Sequence, residues 1–157
     1  MLFDDGYTKK EVMFSNKTVD LRALKIKTEL LGNRYFSLAR QEMFLSDHQV
    51  RVGAVMVVGS KQYIVAHNYL FKTHPLIEKH YPDFVQSIHA ELNALLKYNE
   101  VRLGKLPKRT SMYVYREDRH GIVKLAKPCK TCEKLMKKAG IKRVFYSTET
   151  GYKMEVL

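Results

Sequence analysis

One imidazole and two thiols occur in this chain at spacings that suit a metal ion. Glu91 stands two residues after His89, and Cys129 follows Pro128 and precedes Cys132 by three residues. One histidine and two cysteines form a ligand set that tetrahedral zinc accepts, and a catalytic zinc site keeps its fourth position for water. We therefore expect His89 and the two cysteines to hold Zn²⁺, with Glu91 carrying protons.

Each half of this pattern has other interpretations. A His-x-Glu triplet occurs by chance on many helices, and a C-x-x-C pair can be a thioredoxin-like redox pair or half of a structural zinc site. The chain lacks the aromatic or glycine neighbours that are typical of the redox pair, and no second C-x-x-C or H-x-H completes four ligands. A disulfide between the two cysteines would close a very small loop and stabilise little. Both halves together favour the catalytic interpretation.

The elements that must position these residues follow from apolar periodicity and capping residues. The predicted elements are helices over 19–31 and from 33, a hairpin of 51–58 and 62–66, a long loop over 67–86, a helix over 87–98, a strand over 111–116, a helix from 129 that Gly140 ends, and strands over 142–147 and 152–157. The last two strands should be antiparallel neighbours, because the turn between them leaves no room for a crossover helix. This order predicts an α/β fold around a central mixed sheet.

The expected helices also explain why the thiols could bind a metal ion. His89 and Glu91 fall in the first turn of one predicted helix, and Cys129 falls at the start of another. A helix N-terminus carries partial positive charge, which favours thiolate over thiol. Both helix starts would then face one ion.

Length and composition predict a single domain over residues 1–157, with an N-terminal helical segment over 1–48 and a core over 49–157. The chain is 45% hydrophobic and 28% charged, which is typical of globular proteins. The first ten residues lack an apolar signal region, and no apolar run reaches the length of a membrane span. We expect a cytoplasmic protein without membrane contact.

Positive charge is concentrated in one segment. Residues 101–143 contain fourteen Lys and Arg against three acids, or +11 of the formal net charge of +12. Such a field favours anionic partners, either a nucleotide phosphate or a nucleic-acid backbone. The alternative is that Lys134, Lys137 and Lys138 form a solvated helix face that only keeps the protein soluble.

The chain resembles the cytidine and deoxycytidylate deaminase superfamily over residues 51–147. The matching segments are RVGAVMVV for the first core strand, IHAELNALL for the metal helix, SMYVYR for the next strand, and KPCKTCEKLMKKAGIKRVFYS for the second metal helix and its strand. The H-x-E…P-C-x-x-C pattern is the signature of zinc-dependent base deaminases. The resemblance implies an α/β/α sandwich with a central five-stranded mixed sheet, a zinc ion, hydrolytic deamination and a homo-oligomer.

The resemblance also implies roles for individual residues. Hydroxide would add to C4 of a cytosine while Glu91 delivers a proton to N3, and the same carboxyl would protonate the departing amine. Asn68 falls where such enzymes often hold the sugar, with an ordinary turn residue as an equal alternative. Ala90 is a further candidate for substrate contact.

Two features depart from the resemblance. Deoxycytidylate deaminases and tRNA adenosine deaminases usually place a helix between their last two strands, where this chain has only a short turn. Residues 117–127 form an added excursion before Pro128, which is either a loop at the mouth of the site or a longer strand pair. The sequence therefore leaves the substrate class open.

Three functions fit the sequence. The first is a deaminase of free cytidine, deoxycytidine or the monophosphate dCMP, with Lys72 meeting a 5′-phosphate and His74 among the pocket walls. The second is a deaminase acting on cytosine or adenine in single-stranded DNA or RNA along the basic segment. The third is an inactive, zinc-stabilised nucleic-acid-binding module, against which Glu91 argues because binding requires no proton shuttle. We favour the small nucleoside or nucleotide.

Overall fold

The fold is a three-layer arrangement of helices on both faces of a sheet. A computed structural model describes residues 11–14, 17–60, 62–70, 87–101 and 106–157. In chain order the elements are β1 (Glu11–Phe14), β2 (Lys17–Asp20), α1 (Leu21–Leu31), α2 (Arg34–Met43), β3 (Val52–Val58), β4 (Gln62–His67), β5 (Tyr69–Leu70), β6 (Ser87–Ile88), α3 (Ala90–Val101), β7 (Ser111–Arg116), α4 (Lys130–Ala139), β8 (Arg143–Thr148) and β9 (Gly151–Val156). None of the helices in these ranges has the length and apolar character that crossing a bilayer requires.

The central sheet has five strands in the order β4-β3-β7-β8-β9. Strands β7 and β8 are parallel, and the other neighbouring pairs are antiparallel, including β8 with β9. The predicted α/β class, the mixed five-stranded sheet and the antiparallel final pair are confirmed. In the pairing of β3 with β7, Val52 lies opposite Arg116, so the start of β3 and the end of β7 meet at one edge.

Alternate residues of the strands face two different cores. On one face, the sheet packs against α3 and α4 through Ala54, Met56, Met112, Val114, Ala94 and Met136. On the other face, it packs against α1 and α2 through Val55, Val57, Tyr115, Leu30, Phe36 and Met43. Successive residues of β3 point to opposite faces of the sheet, and both faces are buried. The sequence of β3 is therefore a nearly continuous apolar run.

Helix α2 approaches the sheet closely at Gly53. A Cβ atom at this position would lie 1.8 Å from the backbone oxygen of Ala39, which no side chain can tolerate. The glycine therefore lets the backbones of α2 and β3 come together. Helices α1 and α2 thus form one outer layer of the sandwich and share its core.

The first residues differ from the predicted helical segment over 1–48. Glu11–Phe14 and Lys17–Asp20 pair as a small antiparallel sheet, and α1 begins at Leu21 rather than at residue 19. The carboxylate of Asp20 accepts hydrogen bonds from the backbone N–H groups of Arg22 and Ala23, which defines the helix start. The β-branched residues before Asp20 favour extended backbone, and this preference prevails over the helical interpretation.

Candidate metal centre and substrate cavity

Two helix N-termini bring the candidate ligands together. His89 lies between β6 and α3, and its carbonyl accepts a hydrogen bond from Asn93 N. Cys129 is the N-cap of α4, and its sulfur accepts a hydrogen bond from Cys132 N at 3.4 Å. The pairing of Tyr69 with Ile88 holds the segment before α3 beside the end of β4.

The spacing of the three side chains suits a tetrahedral metal ion. His89 Nδ1 lies 3.6 Å from Cys129 Sγ and 3.4 Å from Cys132 Sγ, and the three ligand atoms lie within 4.8 Å of one another. Tetrahedral zinc, with Zn–S of about 2.3 Å and Zn–N of about 2.05 Å, separates its sulfur and nitrogen ligands by about 3.6 Å. The His/Cys/Cys cluster therefore fits Zn²⁺.

The two thiols differ in acidity. A hydrogen bond with the Cys132 thiol lowers the pKa of Cys129 to about 5, against the opposing effect of burial, and His89 contributes to the lowering. The same hydrogen bond, together with burial and the nearby Glu91 carboxyl, raises the pKa of Cys132. One thiolate therefore forms readily among the protein groups alone, and the positive charge of a bound metal ion would favour the thiolate of Cys132 as well.

Glu91 lies in the first turn of α3 and is only 4% exposed. Burial raises the pKa of its carboxyl above the usual value, more than a backbone hydrogen bond and the nearby His89 lower it. Glu91 is not a member of the ligand cluster found among the described residues. Below the cluster, Ile88 and Leu92 pack against the buried Cys132 and exclude water from that side.

A cavity of about 280 Å³ opens beside this cluster. It lies where β3 begins and β7 ends, at the N-termini of α3 and α4. Its described walls are formed by His48, Val50, Val52, Asn68, His89, Ala90, Glu91, Val114, Arg116, Leu125, Ala126, Lys127 and Cys129. The cavity therefore places Glu91, the candidate proton carrier, and two candidate metal ligands around one volume, an arrangement suited to hydrolytic chemistry on a small molecule.

Asn68 anchors one wall of the cavity. Its Oδ1 accepts a hydrogen bond from Val52 N at 2.9 Å and lies 2.6 Å from the Ser46 hydroxyl. Its Nδ2 donates to the carbonyl of Val50 at 2.6 Å. The side chain thus ties the end of β4 to the segment that leads into β3.

The excursion over residues 117–127 is both a short strand pair and a cavity wall. Glu117 and Val123 form an isolated antiparallel bridge around a turn. The chain then returns over β8, where Ala126 N donates to the carbonyl of Ser147 at 2.9 Å. The sequence alone left these two interpretations as alternatives, whereas in the structure they occur together.

The structure places most of the predicted site residues at the cavity. Asn68, Ala90, Glu91, His89 and Cys129 line it, and Cys132 completes the ligand cluster. Lys72 and His74 lie outside the described residues.

Among the polar residues that line the cavity, three were missed by the sequence interpretation: His48, Arg116 and Lys127. For Arg116 a signal existed in the sequence. Arg116 follows Met112 and Val114 at a spacing of two residues, and it ends the strand that precedes the cysteine helix. Residues spaced by two along a strand share one face of the sheet, so Arg116 was expected on the face that packs against the metal helices.

Known structures share this fold. A cytidine deaminase from Burkholderia pseudomallei gives a TM-score of 0.57 at 15% identity, covering 78% of this chain and 89% of that one. A cytidine deaminase from Mycobacterium leprae gives 0.51 at 19% identity, covering 76% and 89%. A dCMP deaminase from the cyanophage S-TIM5, in apo form, gives 0.50 at 22% identity, covering 71% and 78%. At these identities the likeness shows the fold.

Sequence comparisons address the family directly. No curated protein sequence matches the chain. A family model described as the cytidine and deoxycytidylate deaminase zinc-binding region matches residues 31–148. The matched region contains the cavity walls, Glu91 and the complete His/Cys/Cys cluster. With that match over most of its length, the chain belongs to the cytidine and deoxycytidylate deaminase family.

Proposed function

We propose that this protein is a zinc-dependent hydrolytic deaminase that converts the cytosine base of a free nucleoside or nucleotide to uracil. The observation that carries this proposal is that Glu91, His89 and Cys129 line the same cavity of about 280 Å³. A cavity of this size, just below the usual range for small-ligand sites, fits a single nucleoside or nucleotide better than an extended strand.

The proposed chemistry assigns separate tasks to the ligands and to Glu91. His89, Cys129 and Cys132 would hold Zn²⁺, which supplies Lewis-acid activation of water when it is bound. Glu91 would take a proton from the attacking water and deliver it to N3 of the ring while the C4–O bond forms. The same carboxylate would then take the proton of the new C4 hydroxyl and transfer it to the amino group, so that C4 becomes a carbonyl, the C4–N bond breaks and ammonia leaves.

Two further cavity residues are proposed to contact the substrate. The Nδ2 of Asn68 carries a second hydrogen beyond the one donated to Val50, and this hydrogen can reach a sugar hydroxyl. Ala90 is 1% exposed and offers a small apolar surface next to His89, against which a flat base can pack. The contact of Lys72 with a 5′-phosphate and the place of His74 in the pocket wall stay predictions.

The distribution of the described cations favours a small substrate over a nucleic-acid strand. Arg116 and Lys127 are the described cations that line the cavity. Four other cations surround a separate cleft at the amino ends of β7 and β8, whereas the cavity lies at the carboxyl end of β7: Lys108, Arg109, Lys142 and Arg143. Over the part of the basic segment that the structure describes, residues 106–143, the cations therefore do not form one continuous groove through the site. The homo-oligomer and the cytoplasmic location stay predictions.

Glu91→Gln tests the proposed function. We expect the zinc-loaded variant to release ammonia from cytidine, deoxycytidine or their monophosphates about 10²- to 10⁴-fold more slowly than the wild type, because amide nitrogen cannot shuttle protons. Zinc content, measured by atomic absorption, should be unchanged. Glu29→Gln, an identical change on the exposed face of α1, serves as the control and should keep full activity. Full activity of Glu91→Gln would refute the mechanism.

A further inference from the structure

Arg116 places a permanent positive charge in the wall of the cavity. It is the last residue of β7, and the two residues before it on the same face, Met112 and Val114, are buried against the layer of α3 and α4. Its backbone N–H donates to Ser147 Oγ at 3.1 Å, so the strand end is held to β8. The guanidinium is thereby directed to the edge of the sheet where the cavity lies.

The hydrogen-bonding capacity of this guanidinium is almost unused. Nη1 reaches the carbonyl of Leu125 only at 3.5 Å, which is too long for a strong bond. Nε is buried and has no hydrogen-bond partner. No carboxylate of the described residues lies within 4 Å of Arg116. An arginine presents five N–H donors, so most of them have no acceptor within the protein.

Two other cations, one on the cavity wall and one beside Glu117, already have carboxylate partners. Arg40, on α2, donates to both carboxylate oxygens of Glu117, at 3.0 and 3.3 Å. Lys127, on the cavity wall, lies 3.4 Å from a carboxylate oxygen of Glu155. Arg116 is thus the unneutralised cation among the described residues that line the cavity.

A guanidinium charge in a cavity wall that has no counter-charge is costly unless a ligand supplies one, and the terminal Nη groups, rather than the buried Nε, are the donors that a ligand can reach. A neutral base carbonyl would satisfy one donor and leave the charge uncompensated. A phosphate group offers several oxygens and the opposite charge, and arginine binds it in a bidentate manner. In a cytosine nucleoside or nucleotide, phosphate is the only anionic group.

We infer that Arg116 binds the phosphate of the substrate, and that the substrate is therefore a cytosine mononucleotide rather than a nucleoside. This inference rests on the proposed function, because it takes the cavity as the place where a cytosine substrate binds. Arg116 acts as a specificity-determining residue, whereas Glu91 and the metal ligands perform the chemistry on the base.

The test compares Arg116→Gln with Arg119→Gln in the zinc-loaded protein. Both changes remove one guanidinium, but Arg119 is exposed on the turn of the excursion and does not line the cavity. We expect Arg116→Gln to lower kcat/KM for dCMP or CMP about 100-fold, since charge-assisted bonds to phosphate are lost. Turnover of deoxycytidine and cytidine should fall much less, because these substrates carry no phosphate, so the ratio of kcat/KM for the monophosphate to that for the nucleoside should drop. Arg119→Gln should change neither.

A binding measurement separates this inference from the proposed function. In zinc-loaded Glu91→Gln protein, calorimetry should show dCMP binding more tightly than deoxycytidine, and adding Arg116→Gln should remove that difference. Arg116→Lys, which keeps the charge and controls for folding, should retain part of the preference for the monophosphate. If dCMP binds through Arg116 but the wild type deaminates none of the nucleotides, the phosphate site stands and the proposed function fails.

Three outcomes would overturn the inference. The first is equal loss of nucleoside and nucleotide turnover in Arg116→Gln, which would indicate a role toward the base or the fold. The second is wild-type protein that does not discriminate dCMP from deoxycytidine. The third is higher kcat/KM for a cytosine-containing trinucleotide than for dCMP, which would assign Arg116 to a phosphodiester of a strand instead of a monoester.

Discussion

At the scale of single residues, the cavity combines groups that act on a ligand with groups that hold the walls. The distances of 3.4 and 3.6 Å from His89 Nδ1 to the two sulfurs come from side chains at two helix starts. Asn68 lies in the same cavity, and its amide oxygen and one amide hydrogen are already bonded to protein groups. The side chain of Asn68 therefore has a structural task whether or not it also touches a sugar.

Asn68→Ala should destabilise the protein. The change leaves the partly buried backbone groups Val52 N and Val50 O without their partner, which costs about 1 to 3 kcal/mol in the free energy of unfolding. Urea unfolding of the zinc-loaded protein measures this loss. Asn99→Ala, at an exposed position of α3, is the matched control and should cost nothing. Equal stability of the two variants would contradict the anchoring role of Asn68.

At the scale of elements, a buried carboxylate joins both outer helices to the central sheet. Glu117, whose side chain is 3% exposed, follows β7 and lies 3.2 Å from Lys27 of α1 and 3.0 Å from Arg40 of α2. The Tyr115 hydroxyl donates to the same carboxylate at 2.7 Å. Lys27 also donates to the carbonyl of Gly121, so the turn of the excursion is held against α1. This cluster fixes the start of the segment that forms the cavity wall.

Glu117→Gln should destabilise the fold by about 2 to 4 kcal/mol, because two partly buried cations lose their counter-charge. Chemical unfolding at pH 7 measures the effect. Glu149→Gln is the control, since Glu149 pairs with Lys124 at an exposed turn where an ion pair contributes little. A loss no larger than that of the control would show that Glu117 does not connect the layers.

The same carboxylate predicts a dependence of stability on pH. Burial alone would raise the pKa of Glu117, but hydrogen bonds from Arg40 and Tyr115 and the charge of Lys27 lower it below its usual value. A lowered pKa in the folded state adds stability above the unfolded-state pKa, and this contribution is lost as the pH falls through the folded-state pKa. Wild-type protein should therefore lose more stability on acidification than Glu117→Gln, as urea titrations at several pH values would show. Parallel pH profiles would contradict this role.

At the scale of the whole molecule, the +11 segment is divided among different surfaces. Lys134, Lys137 and Lys138 are exposed on α4, whose N-terminus carries Cys129 at the cavity. The cations at the amino ends of β7 and β8 border a second cleft of about 420 Å³. Screening at physiological salt limits interactions between exposed charges to roughly 8 Å. The exposed charges on α4 and at the second cleft therefore have little direct influence on chemistry in the cavity.

Charge reversal of the three α4 lysines, Lys134→Glu with Lys137→Glu and Lys138→Glu, tests this view. Turnover of a free mononucleotide should stay within about threefold of the wild type at physiological salt, because these lysines are exposed, do not line the cavity and are screened by salt. Thermal unfolding of the triple variant checks that the helix is intact. If the protein instead acts on single strands, the variant should lose activity on them, and the loss should change with salt concentration. That result would contradict a small substrate.

The sequence by itself determined the features that depend on local geometry. The spacing of Cys129 and Cys132 within one helical turn, the cap at Gly140 and the short turn before β9 each involve neighbouring residues, and each follows from backbone geometry. The N-terminal hairpin was missed because helical and extended preferences compete in so short a segment.

Only the tertiary structure decided which distant residues share the cavity. Arg116 lies beside Val52 because β7 pairs with β3, and Asn68 reaches Val50 because β4 ends at the same edge. Strand order and register bring such residues together, and they depend on how both faces of the sheet are buried rather than on any single segment. The metal ligands could thus be predicted from their spacing in the sequence. Arg116, which we infer to bind the phosphate, could be identified only once the pairing of the strands was known.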